Sequence, residues 1–264
     1  MAEETQYTAS TGLVSISTAN TALDGSGTMG TVLAGGANGT LIKTVRIKAT
    51  VNTTAGMIRL FVYDGTNNRL IKEIYVPPIT KASINKAFEA IVDLNFNLDS
   101  RCSLKAATQN AENFNIMAEG LNWTYYSAAV REDTTQYTAN IGIGSVATAN
   151  SNLDGTGTVA TIYTAGSSGT YKGSSIETIT IKATVNNTPG MVRLYFGDTG
   201  TTKKLFSEIV IPSITKTATD QAFEHTIVFE DNLDIQAGYK IIASTQNAEN
   251  FNIIVEGKDW NYKA

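Results

Sequence analysis

One feature constrains this chain more than any other: it contains itself twice. The nine residues Thr108-Gln109-Asn110-Ala111-Glu112-Asn113-Phe114-Asn115-Ile116 recur letter for letter at 245–253. Thr5-Gln6-Tyr7-Thr8-Ala9 returns as Thr135-Gln136-Tyr137-Thr138-Ala139, and Ile47-Lys48-Ala49-Thr50-Val51-Asn52 returns at 181–186. Ile79-Thr80-Lys81 matches Ile214-Thr215-Lys216, and Trp123 matches Trp260. Matches of this length, in one order, mean duplication, so the 264 residues fold as two copies of one domain. The offset between copies grows from 130 at Thr5 to 134 at Ile47 and 137 at Thr108. Insertions are therefore expected around 166–174, 197–202 and 236–239, stretches whose Gly, Ser, Thr and Asp suit surface loops.

Within copy one the apolar period is two. Val45, Ile47, Ala49 and Val51 alternate with Thr44, Arg46, Lys48 and Thr50, and Ile58, Leu60 and Val62 alternate with Met57, Arg59, Phe61 and Tyr63. Further strands are predicted at about 5–18, 28–34, 70–76, 86–94, 103–109 and 113–119. Turn signals separate them: Asp24-Gly25, Asn38-Gly39, Asp64-Gly65 and Pro77-Pro78. No window of useful length keeps a helical period. Seven or eight short strands per copy predict an all-β chain, two tandem copies of a Greek-key or jelly-roll-like β-sandwich. The expected boundaries are 5–123 and 135–260, with 124–134 as a polar linker that holds the domains side by side.

Charge narrows the functional classes. The net charge is −4, and Lys43, Arg46, Lys48 and Arg59 are spread singly along strand-like segments, the pattern of a solvated face. Nucleic-acid binding needs a basic face, which this distribution does not supply. Met1-Ala2-Glu3-Glu4-Thr5 lacks the cationic and apolar regions of a signal peptide, and no apolar run reaches bilayer length. A single cysteine, Cys102, excludes an intrachain disulfide and any multi-cysteine metal site. The expectation is a soluble protein made in a reducing cytoplasm, without cofactor, metal or membrane partner.

The candidate chemistry is thin. The one histidine, His225, matches Ala90 in copy one, and Cys102 falls where the alignment expects a gap, so neither serves both copies. Carboxylates do recur, as Glu73/Glu208, Glu89/Glu224, Glu112/Glu249 and Glu119/Glu256. A glycosidase would face two of them across a cleft, whereas loop caps or ion pairs explain recurrence equally well. Leu23-Asp24-Gly25-Ser26-Gly27-Thr28 and its repeat at 153–158 offer too few acidic oxygens for calcium and read as turns. The most distinctive motif is Asn-Ala-Glu-Asn: Asn110, Glu112 and Asn113 in copy one, Asn247, Glu249 and Asn250 in copy two. It reads as a tight corner in which amide side chains bond the backbone, with sugar or partner recognition as the functional alternative. Tyr125, Tyr126, Tyr163 and Tyr171 are the candidates for an aromatic sugar platform.

The blocks Ile47 to Asn52, Gly56-Met57-Ile58-Arg59-Leu60-Phe61, Asp64-Gly65-Thr66-Asn67 and Thr108 to Ile116 with Glu119-Gly120 resemble a small β-sandwich family. That family occurs among structural proteins of tailed bacteriophages, including crAss-like phages, and the likeness covers nearly all of each copy. It implies a virion setting, reached by assembly in the host cytoplasm, and a capsid auxiliary or decoration protein. Three such chains would make a ring of six similar domains, so a homotrimer bound to phage capsid proteins is expected. The expected contact surfaces are the N-terminal arm with Gln6 and Tyr7, loop 35–40 with Asn38, and loop 166–174 with Tyr171. The alternatives are a head-fibre or tail-associated glycan-binding module, a double-jelly-roll major capsid protein and, last, an enzyme acting on cell-wall polysaccharide.

Overall fold

The computed structural model describes residues 4–126, 135–166, 171–215 and 221–262. Among them every regular element is a strand. Copy one comprises β1 (Glu4–Ile16), β2 (Gly30–Ala34), β3 (Thr40–Ala49), β4 (Gly56–Tyr63), β5 (Asn68–Val76), β6 (Glu89–Leu98), β7 (Ser103–Thr108) and β8 (Phe114–Tyr126). Copy two comprises β9 (Thr135–Val146), β10 (Ala160–Thr164), β11 (Gly173–Ala183), β12 (Gly190–Gly197), β13 (Lys203–Ile211), β14 (Glu224–Ile235), β15 (Lys240–Thr245) and β16 (Phe251–Tyr262). The two sets form separate compact units. Strand β8 takes in the first three residues of the segment read as a linker, and 127–134 lie outside the described residues.

Each unit is a sandwich of two antiparallel four-stranded sheets. Unit 1 orders them β1-β8-β3-β6 and β2-β7-β4-β5; unit 2 orders them β9-β16-β11-β14 and β10-β15-β12-β13. Renumbered within the copy, both read 1-8-3-6 and 2-7-4-5, the two interlocked Greek keys of a jelly roll. The inner faces meet through Ile42, Ile47, Ile58, Leu60, Leu104 and Ile116, all fully buried. In unit 2, Ile179, Ile181, Val192, Leu194, Ile241 and Ile253 are likewise fully buried. Removing one such side chain from water is worth about 1.5–3 kcal/mol, and these alternating positions set the pairing register.

The copies share their irregularities as well as their strands. Register shifts fall between Ile42 and Thr44 and again between Ile176 and Thr178. Asn95 and Asn232 occupy the same bulge with φ of 45° and 55°, a conformation asparagine tolerates better than most residues.

This bulge corrects the alignment. Asp93 pairs with Thr44 and Phe96 with Ile42, whereas Val228 pairs with Thr178 and Leu233 with Ile176. The last insertion therefore lies inside the bulge of β14, not around 236–239. Cys102 then gains a counterpart in Tyr239. The Cys102 carbonyl accepts from Gly35 N–H at 2.9 Å, and the Tyr239 carbonyl accepts from Ala165 N–H at 2.8 Å. Sequence spacing misplaced the insertion because a bulge absorbs extra residues without leaving a loop. The insertions expected at 166–174 and 197–202 do fall on the β10–β11 and β12–β13 connections.

Candidate functional site

The expectation of a solvated basic face fails near the end of β3 and at the centre of β4. Arg59 is 7% exposed and Lys48 is 1% exposed. Loop 17–29 crosses the outer face of sheet β2-β7-β4-β5, and the Arg59 guanidinium fixes it there. Its Nε donates to Glu73 Oε1 on β5 (2.9 Å), Nη1 to the Asn20 carbonyl (3.0 Å) and Nη2 to Gln109 Oε1 (3.3 Å). Arg193 repeats the arrangement with Glu208 (3.1 Å), the Asn150 carbonyl (2.9 Å) and Gln246 (3.1 Å). A rigid fork of donors suits three acceptors in fixed directions, which a lysine ammonium does not match.

The carbonyls held by these arginines belong to asparagines that fold the same loops from within. Asn20 Nδ2 donates to the carbonyls of Ser26 (2.9 Å) and Thr28 (3.0 Å), while its Oδ1 accepts from Ala22 N–H (3.0 Å). Asn150 does the same with Thr156 (2.8 Å), Thr158 (2.9 Å) and Asn152 (3.0 Å). Gly27 (φ 79°) and Gly157 (φ 75°) pass so close that an added Cβ would stand 2.7 and 2.9 Å from the asparagine side chain. Asp24 and Asp154 close the turn. Hydroxyl and N–H bonds from Ser26 and Thr156 hold both carboxyls below the usual carboxylate range.

The Asn-Ala-Glu-Asn corner forms the next layer at this end of each sandwich. Glu112 Oε1 accepts from Thr54 N–H (2.7 Å) and Thr54 Oγ1 (2.5 Å). Asn110 Nδ2 donates to Thr54 Oγ1 (2.9 Å) and the Ala55 carbonyl (3.2 Å). The Asn113 carbonyl accepts from Thr50 N–H at 3.0 Å. Glu249, Asn247 and Asn250 brace Thr188, Pro189 and Thr184 in the same way. The motif thus locks the β7–β8 connection to the β3–β4 connection in both copies.

The other recurrent carboxylates also hold neighbours within their own unit. Glu89 pairs with Lys48 (3.3 Å), Glu224 with Lys182 (2.8 Å) and Glu119 with Arg46 (2.7 Å), while Glu256 accepts from Thr178 Oγ1 (2.8 Å). Among the described residues no group of three or more His, Cys, Asp or Glu side chains gathers as a metal site.

At the opposite end the copies diverge. In unit 1, Thr40 Oγ1 donates to Asn122 Oδ1 (2.5 Å) and accepts from Gly36 N–H (2.8 Å). In unit 2 the asparagine is Asp259, 6% exposed, which accepts from Asn140 Nδ2 (2.9 Å), Gly166 N–H (3.2 Å) and Ser174 Oγ. Tyr163 lies beside it at 1% exposure, and burial pushes its phenol up. Tyr163 therefore belongs to the interior and to no surface platform. Comparing the copies position by position, Asn122 against Asp259, is the sequence signal that would have located this site.

The other expected contact residues are scattered. Gln6 is buried and Tyr7 exposed on β1, and Asn38 is exposed with its amide on the Trp123 carbonyl (3.3 Å). Tyr171 is half-buried, and residues 167–170 of its loop lie outside the described residues, as do the side chains of Tyr125 and Tyr126. No protein-family model matches the chain, and no curated protein matches it.

Proposed function

We propose that this chain is a non-enzymatic structural protein of a bacteriophage virion, an auxiliary or decoration protein that binds and stabilises the capsid. The observation that carries the reading is the pairing of two jelly rolls of identical strand order in one chain. Jelly rolls recur in viral capsids, where rigid sandwiches present edges and loops for repeated contacts. The repeated braces fit that role: Arg59 and Arg193, Asn20 and Asn150, and Glu112 and Glu249 spend their polar groups on making loops rigid. A rigid loop loses little entropy on docking, which favours binding. Three chains give six similar sandwiches, which matches a six-fold capsomer, and a net charge of −4 suits the outer shell better than the DNA-facing lumen.

The test uses purified chain and emptied capsids assembled from the major capsid protein of the same genome. Co-sedimentation at a fixed ratio, with capsids that withstand higher temperature, is the expected result; absence of co-sedimentation overturns the reading. The same two-jelly-roll observation favours a second reading, a double-jelly-roll major capsid protein. Assembly of the chain alone into closed shells would select it.

A further inference from the structure

We infer that one end of unit 2 is an acid-sensitive latch: the Asp259 carboxylate ties β9, the end of β10 and β11 to β16, and protonation of Asp259 loosens those ties. Unit 1 closes its matching end with a neutral side chain. The inference is independent of the capsid reading.

Four replacements set this end apart, and they fall together. Ser10, Leu33, Thr40 and Asn122 of copy one become Asn140, Tyr163, Ser174 and Asp259 at the same register positions. The acid arrives with the donors that an anion needs. Asn140 Nδ2, on β9, reaches Asp259 Oδ1 at 2.9 Å and Oδ2 at 3.1 Å, and it also holds the Thr164 carbonyl at the end of β10 (3.1 Å). The Gly166 N–H donates to Asp259 Oδ1 (3.2 Å) and to Ser174 Oγ (3.1 Å), and Ser174 Oγ, on β11, donates to Asp259 Oδ1. Each of these donors is neutral. In unit 1 the same end needs no charge, because Thr40 Oγ1 donates to the Asn122 amide oxygen and accepts from Gly36 N–H.

Asp259 is 6% exposed, and no lysine, arginine or histidine pairs with it among the described residues. Burying a charge without a counter-charge is costly, and asparagine serves copy one without that cost. The fold by itself therefore does not call for an ionisable group here. The titratable neighbours do not replace it. Tyr163 of β10 lies buried with no hydrogen-bond partner for its hydroxyl, and burial pushes that phenol up, so it stays neutral in acid. Lys258 of β16 is committed to Glu177 at 2.8 Å, and Asp234 of β14 accepts from Ser175 Oγ. Tyr171, whose ring packs close to Gly166, and Lys172 precede β11. An ionised carboxylate only accepts. Protonation turns one of its oxygens into a donor and weakens the other as an acceptor, among neighbours that all donate.

The experiment is amide hydrogen exchange by NMR on the full chain, reading Gly166 against Gly36 from about pH 7 down to about pH 3. Protection factors remove the intrinsic pH dependence of exchange. Asp99, whose carbonyl lies against Gly35 in unit 1, has its carboxyl lowered to about 2 and keeps its bonds over this range, so Gly36 is a fair reference. Protection of Gly166 should fall about tenfold more than that of Gly36, as expected for losing one charge-assisted bond. Asp259→Asn installs the residue of copy one and should abolish the extra fall. The comparison within the parent chain decides even where that variant folds poorly. Equal falls at the two glycines, or an extra fall that persists in Asp259→Asn, would overturn the inference. Neither outcome bears on capsid binding at neutral pH, so the two proposals stand or fall separately.

Discussion

The Arg59 guanidinium donates to the backbone carbonyl of Asn20 at 3.0 Å, tying the centre of strand β4 to a loop 39 residues earlier in the chain. Arg193 and Asn150 repeat that bond at 2.9 Å. Replacing either arginine with lysine keeps the charge and removes the fork, leaving two of three acceptors without donors. Urea denaturation should show a loss of about 2 kcal/mol for each. An unchanged midpoint would mean that water replaces the arginine's bonds.

Asn150 satisfies two carbonyls and one N–H of its own loop. Asn150→Ala should cost about 1–3 kcal/mol and raise amide exchange across 150–158. Gly157→Ala should be comparably harmful, since the new Cβ requires both a strained φ and a displaced Asn150 side chain. Equal exchange in parent and variant would remove the asparagine from its role as the loop's brace.

Glu112 and Glu249 separate a structural from a functional corner. Each carboxylate caps the N–H and hydroxyl of one threonine. Alanine at either position should lower stability by about 1 kcal/mol and leave the proposed capsid binding intact below the melting temperature. Lost binding at unchanged stability would make the corner a contact surface instead.

Acid should weaken the fold in a defined window. Bonds from Arg101 N–H, the Arg101 side chain and the Ser100 hydroxyl lower the Asp99 carboxyl from 3.8 to about 2. Asp24, Asp64 and Asp154 shift in the same direction. A depressed folded value means that the ionised form favours the fold. The stabilisation is complete above the unfolded value and disappears as pH falls through the folded one. The stability gap between parent and Asp99→Asn should therefore close as pH drops from 3.8 toward 2. A gap independent of pH would assign the effect to packing.

Much of the architecture was legible in the residues. The predicted strands at 70–76 and 103–109 appear at Asn68–Val76 and Ser103–Thr108, because period-two alternation reports a half-buried strand directly. Gly25, Gly39 and Gly65 take positive φ at the predicted turns. Arg59 was illegible for the opposite reason. Alternation places it on the outer face, and outer faces are wet by default, but loop 17–29 returns to cover that face.

The sequence by itself determined that there are two domains of one kind, that they are built from strands, and where most connections lie. Repetition and local periodicity carry that information without reference to distant residues. Only the tertiary structure decided the jelly-roll strand order, the burial of Arg59 and Arg193, the work of the recurrent glutamates and the place of the last insertion inside the β14 bulge. These depend on which segments far apart in the chain meet in space, and such meetings leave no periodic trace.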